Sequence, residues 1–227
     1  MAKRKSKSLL FLCFLLSLFL IEKANAHLVE VDLPLLQKVI FIDPGHGGRD
    51  PGTMEQDILE KDLNLEIAVA LQEELIQKGA IVYLTRTSDV DYSNESDNRK
   101  KRADLSRRIQ MIEKENSDLY LSIHINWYEE SYRKGPEVLY ADTNPNNKIL
   151  GEAIMKHFQQ DLKSTRHLAI TDLYLYNNIK IPGVLIECGF LSNPNEQSLL
   201  KQPSYQKQLS KAITQGVIDY LKQSDAT

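Results

Sequence analysis

Short apolar runs alternate with longer amphipathic segments from residue 39 almost to the C-terminal end of the chain. The short runs are rich in apolar or β-branched residues and are bounded by Gly, Pro, Asp or Asn, which is typical of strands. They predict strands over residues 39–43, 81–85, 119–124, 137–140, 173–176 and 184–188. The most apolar of these strands should be buried on both faces of a sheet.

Apolar residues that recur three and four positions apart predict four helices between these strands. The first has its apolar face at residues 63–76 and ends before Gly79, a residue suited to a helix C-cap. The others cover roughly residues 104–115, 147–163 and 203–222, whereas residues 87–101 are polar and predict an exposed loop. This alternation predicts an α/β fold, with a single domain built on a mixed, largely parallel sheet of about six strands flanked by helices.

The first 26 residues have a different pattern. Four basic residues precede an apolar-rich stretch of 13 residues, positions 9–21, and Ala24-Asn25-Ala26 follows it. The stretch is shorter than the roughly 20 residues of a membrane-spanning helix, and the small residues suit a signal peptidase. We therefore predict a signal peptide over residues 1–26, a lead-in over 27–37, a globular domain over 38–222 and a tail over 223–227. An uncleaved membrane anchor is the alternative.

Composition and charge restrict the possible functions. Hydrophobic residues make up 42% and charged residues 26% of the chain, as in ordinary folded proteins. Removal of residues 1–26 takes away five of 28 basic and one of 31 acidic side chains, which leaves a net charge near −7. This balance argues against a nucleic-acid partner. Cys188 is then the only cysteine, so a disulfide within the chain is excluded and stability must come from a core, or from a core plus a metal.

Two histidines stand where the first and third predicted strands end. Residues 43–48, Asp-Pro-Gly-His-Gly-Gly, bend the chain and place His46 at a sheet edge. The segment lacks the glycine and Lys-Ser/Thr spacing of nucleotide-binding loops. Period-two alternation puts Ser122, His124 and Asn126 on one face of their strand. Two histidines at neighbouring strand ends could bind a metal, although a lone strand histidine is more often a hydrogen-bonded core residue.

Carboxylates could complete such a site. Glu60 and Asp62, near the start of the first helix, are both candidates, but either could instead interact with the helix dipole. Glu187 interrupts a buried apolar strand, where an ionised carboxylate is costly unless it is paired. It is therefore a candidate proton shuttle, with an ion pair to Arg or Lys as the alternative. Cys188 should face the opposite side and pack, rather than act as a nucleophile.

Five motifs follow one another along the chain: Asp43-Pro44-Gly45-His46-Gly47-Gly48, Glu60-Lys61-Asp62, residues 85–89, Ser122-Ile123-His124-Ile125-Asn126 and residues 187–193. Together they resemble the zinc-dependent N-acetylmuramoyl-L-alanine amidases of bacterial cell walls, the type-3 amidase family, in a match that covers about residues 38–222. This resemblance implies that His46, Glu60 and His124 bind Zn²⁺ and that Glu187 is the catalytic carboxylate. The reaction implied is hydrolysis of the amide between the lactyl group of N-acetylmuramic acid and L-alanine in peptidoglycan.

Three further residues belong to this comparison. Asp43 and Asn126 are candidates to fix a ligand imidazole or to contact substrate. Trp127 departs from the family pattern, in which a small residue usually follows the asparagine. Its indole could line the groove against a sugar face, or it could anchor the following loop.

Within the family the chain is most similar to germination-specific members, which prepare spore-cortex peptidoglycan for muramic δ-lactam formation. The resemblance implies a secreted, extracytoplasmic protein that binds peptidoglycan and is not stably inserted in the membrane after the signal peptide is cleaved. A protein partner is also compatible with the resemblance. Two alternatives stay open. One is another zinc peptidase, such as an exopeptidase on the same scaffold, and the other is a catalytically silent peptidoglycan-binding protein.

Overall fold

The computed structural model describes residues 32–114 and 116–224, and the chain from Leu33 onward forms one compact unit. Its main sheet has six strands, which are β1 (Val39–Pro44), β4 (Ile81–Leu84), β5 (Leu119–Asn126), β6 (Glu137–Tyr140), β7 (Ala169–Ile170) and β8 (Gly183–Phe190). Their order across the sheet is β4-β1-β5-β8-β6-β7. All neighbouring strands are parallel except β6 and β8, which are antiparallel. The predicted α/β class and the largely parallel sheet are confirmed.

The remaining elements flank this sheet. A two-stranded hairpin, β2 (Met54–Glu55) with β3 (Ile58–Leu59), leads directly into the first helix. The helices are α1 (Glu60–Gln77), α2 (Lys100–Lys114), α3 (Pro145–Asp161), α4 (Tyr174–Asn177), α5 (Pro194–Leu200) and α6 (Pro203–Ser224). Four of them match the predicted helices to within a few residues at each end.

Both faces of the sheet are covered, which explains why its central strands are so apolar. The side chains of β8 point alternately to the two faces. Ile186 and Cys188 pack in the larger core, beneath α1, α3 and α6, whereas Leu185 packs in the smaller core on the other face, beneath α2 and α4. Cys188 is fully buried in the larger core, so the prediction that it packs away from Glu187 is confirmed.

The strand predicted over residues 173–176 is wrong. Residues 174–177 form the one-turn helix α4, which buries Leu175 and Tyr176 in the core beneath α2. A short apolar run is compatible with either structure, because both can bury two adjacent residues. The sixth strand is β7 instead, which pairs with β6 and forms one edge of the sheet. The predicted loop over 87–101 also ends early, since α2 begins at Lys100.

The predicted signal peptide and its cleavage site lie outside the described residues. Within residues 32–114 and 116–224, no helix has the length and apolar character needed to cross a bilayer.

Candidate metal centre

The C-terminal edge of the sheet brings together side chains that are far apart in the sequence. His124 in β5 is the register partner of Glu187 in β8, and His46 follows β1 on the other side of β5. The hairpin β2–β3 returns the chain to this edge, so that α1 begins there with Glu60. Parallel strands place their carboxyl ends at one edge, which explains why residues from three strands and a helix converge.

His46, Glu60 and His124 form a compact group of potential metal ligands. Glu60 Oε1 lies 3.2 Å from His46 Nε2 and 3.1 Å from His124 Nδ1. One ligand atom from each of the three residues lies within 4.8 Å of the other two, and no other such group occurs among the described residues. Asp62 is exposed at the start of α1 and takes no part in the group. Sequence spacing could not decide whether Glu60 or Asp62 joins the histidines, and the structure shows that Glu60 does.

Backbone groups and close packing fix this arrangement. Glu60 Oε2 accepts a hydrogen bond from the Thr53 backbone N–H at 2.8 Å. Gly45 and Gly52 leave space that a side chain would fill, since a Cβ on Gly45 would lie 2.3 Å from His124 Cε1. A Cβ on Gly52 would lie 2.5 Å from Glu60 Oε2. These two glycines thus permit the close approach of the ligand-type side chains, besides bending the chain.

The electrostatics of the group suit a divalent cation. Burial opposes ionisation of Glu60, but contacts with His124 and His46 outweigh it and hold the pKa of its carboxyl well below the usual range. Burial likewise opposes protonation of His46, but Asp50 and Glu60 outweigh it and raise the pKa of the imidazole to about 9. Two imidazoles and one carboxylate are a donor set typical of catalytic zinc sites, and a bound ion would replace the imidazole proton.

Two buried arginines hold the backbone that carries His46. Arg108 donates to Pro44 O at 2.9 Å and to His46 O at 2.6 Å, and Arg86 donates to Pro44 O at 3.0 Å and to Gly45 O at 3.0 Å. This support matters because His46 itself adopts a left-handed backbone conformation, with φ of 61°.

Asp43 belongs to this support. Its Oδ1 accepts from Arg108 at 2.9 Å and from Thr85 at 2.6 Å, and its Oδ2 accepts from Ser122 at 3.0 Å. Burial opposes ionisation of this carboxyl, but Arg108 and Thr85 hold its pKa below the usual range. The contacts connect Asp43 to the loop of His46 and not to a ring nitrogen.

Replacing Arg108 with methionine should therefore destabilise the fold strongly. Arg108 is 1% exposed and pairs with Asp43 and Asp104, so its removal leaves a buried carboxylate unpaired at a cost of about 3–5 kcal/mol. Urea unfolding would measure the loss. Arg107→Met is the matched control, because Arg107 pairs with Asp97 at the surface and should matter little. Equal unfolding midpoints for the two variants would contradict this account.

Asp50 is a site residue that sequence reasoning missed. Its Oδ2 lies 2.9 Å from His46 Nδ1, the ring nitrogen remote from Glu60. A tight turn, in which Gly47 and Asp50 exchange two backbone hydrogen bonds, carries the chain back to the imidazole. Asp50 follows His46 by four residues in the sequence, but this spacing does not predict a contact between the two side chains unless the path of the loop is known. Lys101 Nζ approaches the same carboxylate at 3.4 Å.

Glu187 lies beside this group without a compensating charge. Its Oε2 is buried and has no hydrogen-bond partner, and none of the described Arg or Lys side chains forms an ion pair with it. Burial, reinforced by the negative charges of Glu60 and Glu137, raises the pKa of its carboxyl well above the usual range. The neighbouring Glu137 is neutralised by Arg166 at 2.6 Å and accepts from Asn126 at 2.8 Å. The ion-pair explanation for Glu187 is therefore not supported.

Two cavities meet at the group. Both are lined by His46, His124 and Glu187. The first, of about 330 Å³, continues between α2 and α4 over four leucines, Leu105, Leu173, Leu175 and Leu185. The second, of about 380 Å³, continues past Thr53, Asn126 and Trp127. A molecule with two unlike arms could occupy both cavities while its centre lies at the group.

Comparison with known proteins identifies the family of the chain. Residues 40–219 match the protein family described as N-acetylmuramoyl-L-alanine amidase. A similar curated protein is the germination-specific N-acetylmuramoyl-L-alanine amidase of Bacillus subtilis, 37% identical over 96% of both chains.

Solved structures give the same result. The CwlD amidase of Clostridioides difficile, solved in complex with the GerS lipoprotein, has a TM-score of 0.78 and 35% identity. The match covers 82% of this chain and all of that one. The AmiC2 amidase of Nostoc punctiforme has a TM-score of 0.71 and 28% identity, over 82% of this chain and 97% of that one.

Proposed function

The chain belongs to the N-acetylmuramoyl-L-alanine amidase family, and from that premise we propose how it cleaves peptidoglycan. The bond is the amide between the lactyl group of N-acetylmuramic acid and L-alanine. In this proposal His46, Glu60 and His124 hold a zinc ion, and Glu187 transfers the protons. The observation that carries the proposal is the convergence of three ligand-type side chains beside Glu187, whose buried Oε2 has no hydrogen-bond partner.

The three side chains fit a catalytic zinc ion. Such ions take three protein ligands from histidine and carboxylate and keep one position open, and the two cavities reach the group from outside. When bound, zinc polarises the scissile carbonyl and lowers the pKa of an attacking water. The Asp50 carboxylate, 2.9 Å from His46 Nδ1, would favour the tautomer that carries its proton on Nδ1 and leaves Nε2 able to bind the ion.

Glu187 has the position and the environment of a general base and acid. Its carboxylate accepts a proton from the attacking water as the new carbon–oxygen bond forms at the lactyl carbonyl. It then donates that proton to the nitrogen of L-alanine as the carbon–nitrogen bond breaks. The products are a lactyl carboxylate on the glycan and a stem peptide with a free amine. Burial without a fixed cationic partner raises the pKa of the Glu187 carboxyl, which makes it a better proton acceptor than an exposed glutamate. The positive charge of a bound zinc ion would oppose this shift and so favour release of the proton to the leaving nitrogen.

Asp50→Asn should weaken zinc binding by about 10–100-fold, the usual effect of removing a partner of a metal-bound histidine. The amide can still contact His46 Nδ1, but it no longer supplies the negative charge that increases the basicity of the ring. Competition with a coloured chelator would measure the affinity. Asp91→Asn is a suitable control, since Asp91 contacts Arg49 and Ser93 and not a histidine. Wild-type affinity in Asp50→Asn would contradict the role given to Asp50.

We further propose a role for this chain in preparing spore-cortex peptidoglycan for muramic δ-lactam formation. The similarity to a germination-specific amidase over nearly its whole length supports this role. The pattern of residues 1–26 supports secretion, with residues 38–222 as the catalytic domain. A protein partner is part of the proposal, because a structural neighbour at 35% identity was solved in complex with a lipoprotein.

Identification of the products by mass spectrometry tests the proposed function directly. Digestion of cortex-type and vegetative peptidoglycan with the mature protein should release intact stem peptides and leave free lactyl carboxylates on the glycan. Release of single amino acids would indicate the exopeptidase alternative. Binding to the polymer without any new carboxylate would indicate the catalytically silent one.

A further inference from the structure

We propose that Trp127 forms a sugar subsite, in which its exposed indole stacks on the N-acetylmuramic acid ring next to the cleaved bond. The leucine-lined cavity then takes the stem peptide. This inference rests on the proposed function, because that reaction defines the two arms of the substrate. The acyl side of the scissile amide carries a pyranose ring and the amine side carries a peptide, so the enzyme needs two unlike subsites that meet at the reacting atoms.

The indole is fixed in place while remaining accessible. Trp127 follows Asn126 at the end of β5, and its backbone N–H donates to Asn126 Oδ1 at 2.8 Å. Its indole Nε1–H donates to Glu55 Oε2 in β2 at 3.2 Å, so the single polar atom of the ring already has a partner. The side chain is nevertheless 43% exposed. A ring held in this way loses little conformational entropy when a ligand packs on its face.

Trp127 lines the same cavity as the proposed catalytic group. Trp127 lines that cavity together with His46, Glu60, His124 and Glu187. Tyr128, the next residue, differs in this respect: Arg133 lies 4.2 Å above its ring and Phe190 packs against it at 6.0 Å. Among the described residues no cation and no second aromatic ring covers Trp127. The side chain of a packing anchor would be largely buried, whereas that of Trp127 is 43% exposed and lines the cavity.

The chemistry of the two cavities assigns the two arms. A pyranose ring presents a face of C–H groups that packs well on an aromatic plane, with its hydroxyl and amide groups free to bond polar neighbours. Thr53 and Asn126 supply such neighbours in the Trp127 cavity. The other cavity is lined by leucines and offers a surface for the alanine methyl and the peptide backbone, with Lys101 near the site shared by both cavities. The leucines suit a small aliphatic side chain, and charged side chains, among them Lys101 and Asp104, line the same cavity where the more polar peptide backbone would lie.

Kinetics on two soluble substrates test the subsite. One is a disaccharide-peptide, and the other is a lactyl-peptide with the same stem and no sugar. Trp127→Ala should raise KM for the disaccharide-peptide about 10-fold, equivalent to about 1.4 kcal/mol, with kcat within about twofold. The kcat/KM for the lactyl-peptide should not change. Trp127→Phe should restore most of the affinity for the disaccharide-peptide, since phenylalanine keeps an aromatic face.

Tyr132→Ala is the matched control, because Tyr132 is an exposed aromatic in the same connection and does not line either cavity at the catalytic group. It should behave as the wild type with both substrates. An equal loss of kcat/KM on both substrates in Trp127→Ala would assign Trp127 to loop packing and overturn the subsite. Unchanged kinetics on both substrates would overturn it as well. If the wild type cleaves neither of the two substrates, the result would instead contradict the proposed function.

Discussion

Glu187→Gln should reduce amide hydrolysis by about 10²–10⁴-fold while zinc binding stays at the wild-type level. Glutamine has nearly the same shape as glutamate but cannot accept the proton of the attacking water. Since Glu187 is not one of the three ligand-type residues that meet at Glu60 Oε1, its replacement removes proton transfer without removing a ligand. Release of stem peptides gives the rate, and metal analysis of the same sample gives the zinc content.

A neighbouring residue provides the control for this variant. Cys188→Ala changes the next residue along β8, which faces the opposite core and is fully buried. It should retain both zinc and activity, with at most some loss of stability. A Glu187→Gln protein that releases stem peptides at the wild-type rate would remove the proton shuttle from the mechanism. An inactive Cys188→Ala protein that remains folded would instead reopen the thiol-nucleophile alternative.

His124→Ala should abolish zinc binding and activity together, and His46→Ala should do the same. Each change removes one of the three proposed ligands, and two remaining ligands would hold zinc weakly. In the structure each imidazole contacts Glu60 Oε1, so both variants also lose a contact that orders the carboxylate. Metal content after dialysis and residual hydrolysis are the two measurements, with circular dichroism to verify that the variants are folded.

His157→Ala separates loss of the site from loss of any histidine. His157 lies on α3, where it contacts Asp161 and Asp219 at 3.1 Å each, away from the sheet edge. This variant should keep its zinc and its activity. Chelation of the wild type should inactivate it, and added zinc should restore the rate. Normal digestion of peptidoglycan by a metal-free sample would rule out the metalloenzyme mechanism.

Local sequence patterns predicted most of the fold because the repeats of strand and helix are set by backbone hydrogen bonds between near neighbours. The alternation in β5 placed His124 on the site face, and the interrupted apolar run of β8 identified Glu187 as an unusual carboxylate. The same reasoning failed at α4, where the burial of Leu175 and Tyr176 against α2 decides between helix and strand. The residues of α2 in that contact lie about 65 positions earlier in the sequence, so no local pattern can predict it.

The site shows the same division. The sequence by itself determined the α/β class, the strand ends that carry His46 and His124, and the opposite directions of Glu187 and Cys188. Only the tertiary structure placed Asp50 at His46 and Arg108 beneath the loop, and only it brought Glu60 rather than Asp62 to the imidazoles. It also placed the exposed side chain of Trp127 in the cavity lined by the two imidazoles and Glu60. The physical reason is that side-chain direction within an element follows from local geometry, whereas the path of a loop depends on contacts with distant parts of the chain.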